Sequence, residues 1–243
     1  MQLILHIPHA STRIPARYRR TFLLTDAQLN AELLAMTDRF TDTLFPTNYP
    51  RVIFPVSRLL CDPERFRQDE HEQMAVIGMG AIYTRGSQLQ VIRVNPNREE
   101  LLEKYYDPHH LLLEQTVAQE LNAHNQVLIL DCHSFSNTVL PYEQDKNPIR
   151  PDICIGTDAY HTPKALETLA HDFFSSKGLS VKVNSPYSGA LVPSTYYNKD
   201  VRVKALMLEI NRSLYMDAKG NKTGAFTSIQ SLLAKFTAIL AQI

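Results

Sequence analysis

The stretch Leu128 to Ser136, LILDCHSFS, constrains the fold more than any other part of the chain. Val127 to Leu130 is an unbroken apolar run, and Asp131, Cys132 and His133 follow it directly. A short apolar run without alternation reads as a strand covered on both faces, the kind found in parallel sheets flanked by helices. The ends of such strands are where loops gather and ligands bind. A histidine placed there is held by a rigid element and faces a cleft, which suits a metal ligand or a general base. The commoner alternative is an imidazole that bonds a backbone carbonyl.

The rest of the chain repeats the alternation. Leu3–Ile7, Arg51–Val56, Asp152–Gly156, Leu179–Val183 and Ala205–Ile210 are strand-like. Thr25-Asp26-Ala27-Gln28 fits a capping box, and Leu29, Leu33, Met36, Phe40 and Leu44 then recur at helical spacing. Asn97–Tyr106 reads as a helix, and Pro108 opens a second with Leu113, Val117 and Leu121 on its stripe. Further helices are predicted from about Pro163 to Ser176 and from Thr223 to Ile243, while residues 67–95 read as an irregular or hairpin-like excursion. Strands alternating with helices predict an α/β protein, a three-layer sandwich with a mostly parallel mixed sheet. With no repeat, low-complexity tract or Gly/Ser linker, the 243 residues read as one domain.

Twenty-five basic and 25 acidic residues leave no formal net charge, which argues against nucleic acid as the main partner. No apolar run approaches bilayer length, and MQLILHIPH lacks a basic leader and a cleavage site, so it reads as a first strand. Cys61, Cys132 and Cys154 are odd in number and widely spaced, which fits neither a disulfide framework nor a CxxC metal site and points to a cytoplasmic protein.

Three strand ends carry residues suited to metal-assisted hydrolysis, which needs about three protein ligands, an open position and a carboxylate beside the reacting water. His9 follows the first strand in HIPHAST, stiffened by Pro8. His133 follows Asp131, which projects to the same side of the strand and is placed to orient the imidazole. Glu209 interrupts the apolar strand of LMLEINRSLYMD; a carboxylate there is costly unless paired, with Arg212 as the obvious partner, or functional. In VSRLLCDPERF, Arg58, Asp62 and Arg65 form a dense charged cluster, and arginine recognises carboxylates through paired hydrogen bonds. Ser185–Tyr197, SPYSGALVPSTYY, reads as a turn-rich loop able to act as a lid. In YYDPHH, His110 shares the stripe of Leu113 and Val117 and reads as a core histidine, with Glu114 as an i,i+4 partner. GxSxG, GxGxxG, P-loop and HExxH patterns are absent.

HIPHAST, SRLLCDPERF, YYDPHH, LDCHSFS, PDICIGTD, PYSGALVPSTYY and LEINRSLYMD, in that order, resemble the N-formylglutamate amidohydrolase family over nearly the whole chain. The wider resemblance is to zinc carboxypeptidases and to the aspartoacylase and succinylglutamate desuccinylase group. It implies a phosphorylase/hydrolase-like, zinc carboxypeptidase-like fold and a bound Zn²⁺ or another divalent metal. His9 and His133 map onto ligands, Glu209 onto the general base, and Arg58 and Arg65 onto carboxylate-binding groups with Asp62 in support. Arg212 is a further substrate candidate, and Asp131 supports His133. Those relatives carry a ligating glutamate three residues after the first histidine, where this chain has Thr12. Asp38 in MTDRFTDTLF is then the first choice for the third ligand and Asp62 the second; Asp38 lies off the Met36/Phe40 stripe, so a solvated helix face is the competing reading. The resemblance implies hydrolysis of an N-acylated acidic amino acid, foremost N-formyl-L-glutamate, in histidine catabolism. The alternatives are a zinc exopeptidase or deacylase acting on another acylated amino acid or short peptide, and a non-catalytic small-anion binding protein on the same fold.

Overall fold

The computed structural model describes residues 1–243. Six strands, β1 (Gln2–Ile7), β2 (Arg51–Ile53), β3 (Val127–Phe135), β4 (Ile153–Gly156), β5 (Val181–Val183) and β6 (Val203–Asn211), form one sheet in the order β2-β1-β3-β6-β4-β5. β2, β1, β3 and β6 run parallel; β4 pairs antiparallel with β6 and parallel with β5. The expected mostly parallel, mixed α/β sheet is present. The helices are α1 (Ala16–Arg19), α2 (Asp26–Met36), α3 (Thr41–Leu44), α4 (Arg98–Leu101), α5 (Asp107–His124), α6 (Lys164–Ser175) and α7 (Phe226–Leu240). None is long and apolar enough to cross a membrane.

The two-residue period of the strands divides the sheet into two faces. Leu3, Leu5 and Ile7, Leu128, Leu130 and Cys132, and Leu206, Leu208 and Ile210 pack under α6 and α7 through Phe174, Leu233 and Phe236. On the other face, Ile4, Val127, Ile129 and Ala205 pack against Leu113, Val117 and Leu121 of α5. Continuing along that second face, the positions in phase with Ile4, Ile129 and Ala205 are His6, Asp131, His133 and Glu209. The apolar face thus turns polar at the carboxyl ends of three adjacent strands. A third core, built on Leu29, Met36, Phe54, Leu59, Tyr83, Ile92 and Leu102, lies beneath the 67–95 excursion, which holds only two short 3₁₀ turns.

Three departures from expectation bear on the site. The capping box of α2 is formed, but the helix stops at Met36 rather than Leu44. Thr37 turns extended, Phe40 takes a left-handed φ of 71°, and α3 restarts at Thr41. The Asp38 amide donates to the His9 carbonyl at 3.0 Å, so this break ties the chain to the end of β1. Pro108 does not open a separate helix. Leu102–Tyr106 form a π-helical stretch that joins α4 to α5 without interruption, an arrangement that tolerates a residue lacking an N–H. β3 extends to Phe135, which places His133 within the strand rather than after it.

Candidate active site

His9 lies just past β1 and is 2% exposed. Its Nε2 donates to Asp62 Oδ1 at 2.8 Å, while its Nδ1 is buried with no hydrogen-bond partner. That free nitrogen sits 3.7 Å from Asp38 Oδ2. Because the α2 break carries it inward, Asp38 is only 1% exposed, so the solvated-face reading does not hold. Its Oδ2 is 3.1 Å from His133 Nδ1, and its Oδ1 accepts from Arg212 Nη2 at 2.8 Å. Burial alone would raise the Asp38 pKa, but the hydrogen bond from His133, the neighbouring His9 imidazole and the Arg212 charge outweigh it and hold the carboxyl well below its usual range. His9, Asp38 and His133 thereby offer three donor atoms within 4.8 Å of one another. Two imidazole nitrogens and one carboxylate oxygen, one of the nitrogens buried and unpartnered, form a donor set suited to a zinc-type ion.

His133 Nε2 is 3.1 Å from both Asp131 Oδ1 and Glu64 Oε2, out of line for a regular hydrogen bond with either. Burial acts to lower the His133 pKa; Glu64, Asp131 and Asp38 outweigh it and keep the ring's pKa raised. Glu209 faces His133 across the β3–β6 register. It makes no ion pair with Arg212, whose nitrogens are directed to Asp38, to the Ala35 carbonyl and to Ser134. Glu209 Oε2 is buried and unpartnered, and burial, reinforced by Asp38 and Glu64 against the pull of His133 and Arg212, raises the carboxyl to about 8.

Asp62 is fully buried and collects donors from four residues: His9, Arg58 through Nε at 3.1 Å and Nη2 at 2.8 Å, the Tyr83 hydroxyl at 2.6 Å, and the Glu64 amide at 3.0 Å. Burial opposes its ionisation, but Arg58, His9 and Arg65 hold its pKa well below the carboxylate range. Arg58 is therefore fixed by Asp62. Arg65 is freer, making only a 3.4 Å contact to the Glu64 carbonyl. All these groups except Asp62 and Tyr83 border one cavity of about 570 Å³, closed on another side by Pro186–Leu191 from the turn-rich loop and by Tyr142 and Glu143. Tyr187 of that loop donates to Glu143.

The sequence reading did not single out His6 or Glu64. His6 broke the apolar pattern of β1 as Glu209 broke that of β6, so its signal was present. Glu64 carried none. The core histidine of the HH pair is His109, 3% exposed with its Nε2 2.9 Å from His6 Nε2. His110 instead bonds the Pro63 carbonyl at 2.8 Å, and Glu114 is engaged by Thr195 rather than by His110.

The N-formylglutamate amidohydrolase family model matches residues 1–216. The chain belongs to that family. It is accordingly a hydrolase acting on an amide. A comparison with curated protein sequences finds no match. Among solved structures, the chain is similar to an N-formylglutamate amidohydrolase from Ralstonia eutropha JMP134, with 22% identity, a TM-score of 0.81, and coverage of 100% of this chain and 93% of that one. It is also similar to a gene product of Agrobacterium tumefaciens, at 19% identity and a TM-score of 0.66, covering 99% of this chain and 88% of that one. At these identities the likeness establishes a shared fold. The family membership carries the enzymatic class.

Proposed function

We propose that this amidohydrolase is zinc-dependent and cleaves N-formyl-L-glutamate to formate and L-glutamate. The observation that carries the reading is the convergence of His9, Asp38 and His133 beside an unpaired, buried Glu209 in one arginine-bordered cavity. A bound zinc ion would lower the pKa of a water toward about 7 and polarise the formyl carbonyl. Glu209 takes the proton from the attacking water and delivers it to the departing glutamate nitrogen. Its raised pKa belongs to the site without a cation; a neighbouring positive charge acts to lower it, towards ionised base. Arg65, with the fewest internal bonds, grips one substrate carboxylate, and Arg58, held rigid by Asp62, borders the second. Arg212 orients Asp38 and lines the same cavity. Asp131 and Asp62 orient the imidazoles of His133 and His9 from behind.

The cavity is mid-range for small-molecule pockets, about 300–1,000 Å³. It also has room for acyl groups larger than formyl, which keeps a deacylase or exopeptidase reading in view. A panel of formyl, acetyl, succinyl and peptidyl glutamates decides between them, and preference for any group over formyl sinks the formylglutamate assignment. The three free, buried cysteines support a reducing, cytoplasmic setting.

A further inference from the structure

His6 has no place in the chemistry above, yet it is fully buried in β1 on the face that carries His133 and Glu209. Its Nδ1 lies 2.7 Å from Asp131 Oδ1, and its Nε2 lies 2.9 Å from His109 Nε2. A carboxylate only accepts, so His6 donates through Nδ1. In the neutral ring Nε2 is then bare and accepts from His109, which fixes both tautomers. Asp131 is gripped from two directions, because its Oδ2 also accepts from the Leu191 amide at 3.1 Å. The oxygen that His6 holds is the one 3.1 Å from His133 Nε2. A chain of side chains thus runs His109–His6–Asp131–His133, from the underside of α5 to the candidate metal centre.

We infer that His6 is a positioning residue: with the Leu191 amide it fixes the Asp131 carboxylate 3.1 Å behind His133 Nε2, and so holds the imidazole with Nδ1 directed at the metal position beside Asp38. This rests on the proposed assignment of His133 as a ligand. His6 itself borders neither the cavity nor the group of His9, Asp38 and His133. Partners of this kind shift metal affinity by about 10–100-fold when removed.

The decisive comparison is between His6→Leu, which removes the donor, and His6→Asn, whose amide nitrogen reaches the place of Nδ1. Crystal structures of the chelator-stripped variants should show Asp131 Oδ1 in its wild-type place, about 3.1 Å from His133 Nε2, in His6→Asn, and turned away in His6→Leu. Zinc affinity by chelator competition should fall by about tenfold or more in His6→Leu and recover in His6→Asn. At saturating zinc, kcat should return towards wild type with KM unchanged. If His6→Leu folds and leaves both the Asp131 position and the zinc affinity unaltered, the inference is overturned. Should His6→Leu fail to fold, His6→Asn carries the test: a retained Asp131 position and zinc affinity support the positioning role, and their loss overturns it. A wild type that binds two zinc ions, one of them lost in His6→Asn, also overturns it, because His6 would then be a ligand. A wild type with no zinc affinity contradicts the proposed function instead, and the position of Asp131 in the variants still decides the role of His6.

Discussion

The substitution Asp62→Asn is nearly isosteric and removes one charge from a fully buried position. Asp62 accepts from His9 Nε2, from Arg58 twice, from Tyr83 and from the Glu64 amide. An asparagine has one accepting oxygen. If that oxygen faces His9 and the Glu64 amide, the new NH₂ points at Arg58 and Tyr83; flipped, it points at His9 and Glu64. Either way an obligate donor, Arg58 or the Glu64 amide, faces the new donor. Arg58, whose side chain is 13% exposed, loses the carboxylate that compensates its charge. Stranding one partner of a buried pair costs about 3–5 kcal/mol. That is a large share of the roughly 5–15 kcal/mol expected for a domain. Urea unfolding of the wild type, Asp62→Asn and Arg58→Met/Asp62→Asn measures it. The double variant should recover a good part of the lost stability, since it no longer buries an unpaired cation. It should not recover zinc affinity, because His9 still lacks its carboxylate. An Asp62→Asn protein within about 1 kcal/mol of the wild type would refute the reasoning. So would a double variant no more stable than the single one.

Three further outcomes are expected. Glu209→Gln should keep zinc and lose turnover by about 10²–10⁴-fold; normal formate release from the variant would remove Glu209 from the mechanism. Arg65→Met should raise KM for N-formyl-L-glutamate by about tenfold or more while changing little with a formylated substrate that lacks the side-chain carboxylate; equal losses on both would assign Arg65 to the α-carboxylate or to the fold. Burial, together with the neighbouring imidazoles, lowers the pKa of His110 to about 4 and that of His109 to about 2. The unfolded chain therefore takes up these protons first, starting near pH 6.5. The stabilisation is complete above that pH and is lost as pH falls, amounting for His110 to about 3 kcal/mol by pH 4. His110→Gln, which keeps a donor for the Pro63 carbonyl, should flatten the fall of Tm between pH 7 and 5; an unchanged slope would argue against the assignment.

Much of the fold was legible because the core strands announce themselves by composition. Leu3–Ile7, Val127–Leu130 and Ala205–Ile210 are apolar in the way of doubly covered strands, and they are the three adjacent central strands of the sheet. Glu209 and His133 stood out by breaking such runs, and His6 broke one in the same manner. Asp38 was found through family resemblance, but its burial was hidden. Periodicity carried the helix on through Phe40 and Leu44, and only the tertiary bond from the Asp38 amide to the His9 carbonyl accounts for where the break sits. Either histidine of the HH pair fits the helical spacing to Leu113, so only packing tells which one is core. The buried face of α5 runs His109, Leu113, Val117 and Leu121 at i,i+4 spacing, whereas His110 stands at i,i+3 from Leu113, and it is His109 that meets His6. Glu64 enters the site through a loop whose path depends on Asp62 accepting the Glu64 amide, a fold-dependent contact.

The central claim, a zinc-dependent deformylation at the centre formed by His9, Asp38 and His133, is tested most directly by measuring metal content alongside formate release from N-formyl-L-glutamate. The account predicts about one zinc per chain, with activity abolished by chelation, restored by zinc, and both metal and activity lost in Asp38→Ala. Formate release that persists in metal-stripped protein, or in an Asp38→Ala variant with its zinc intact, would contradict it.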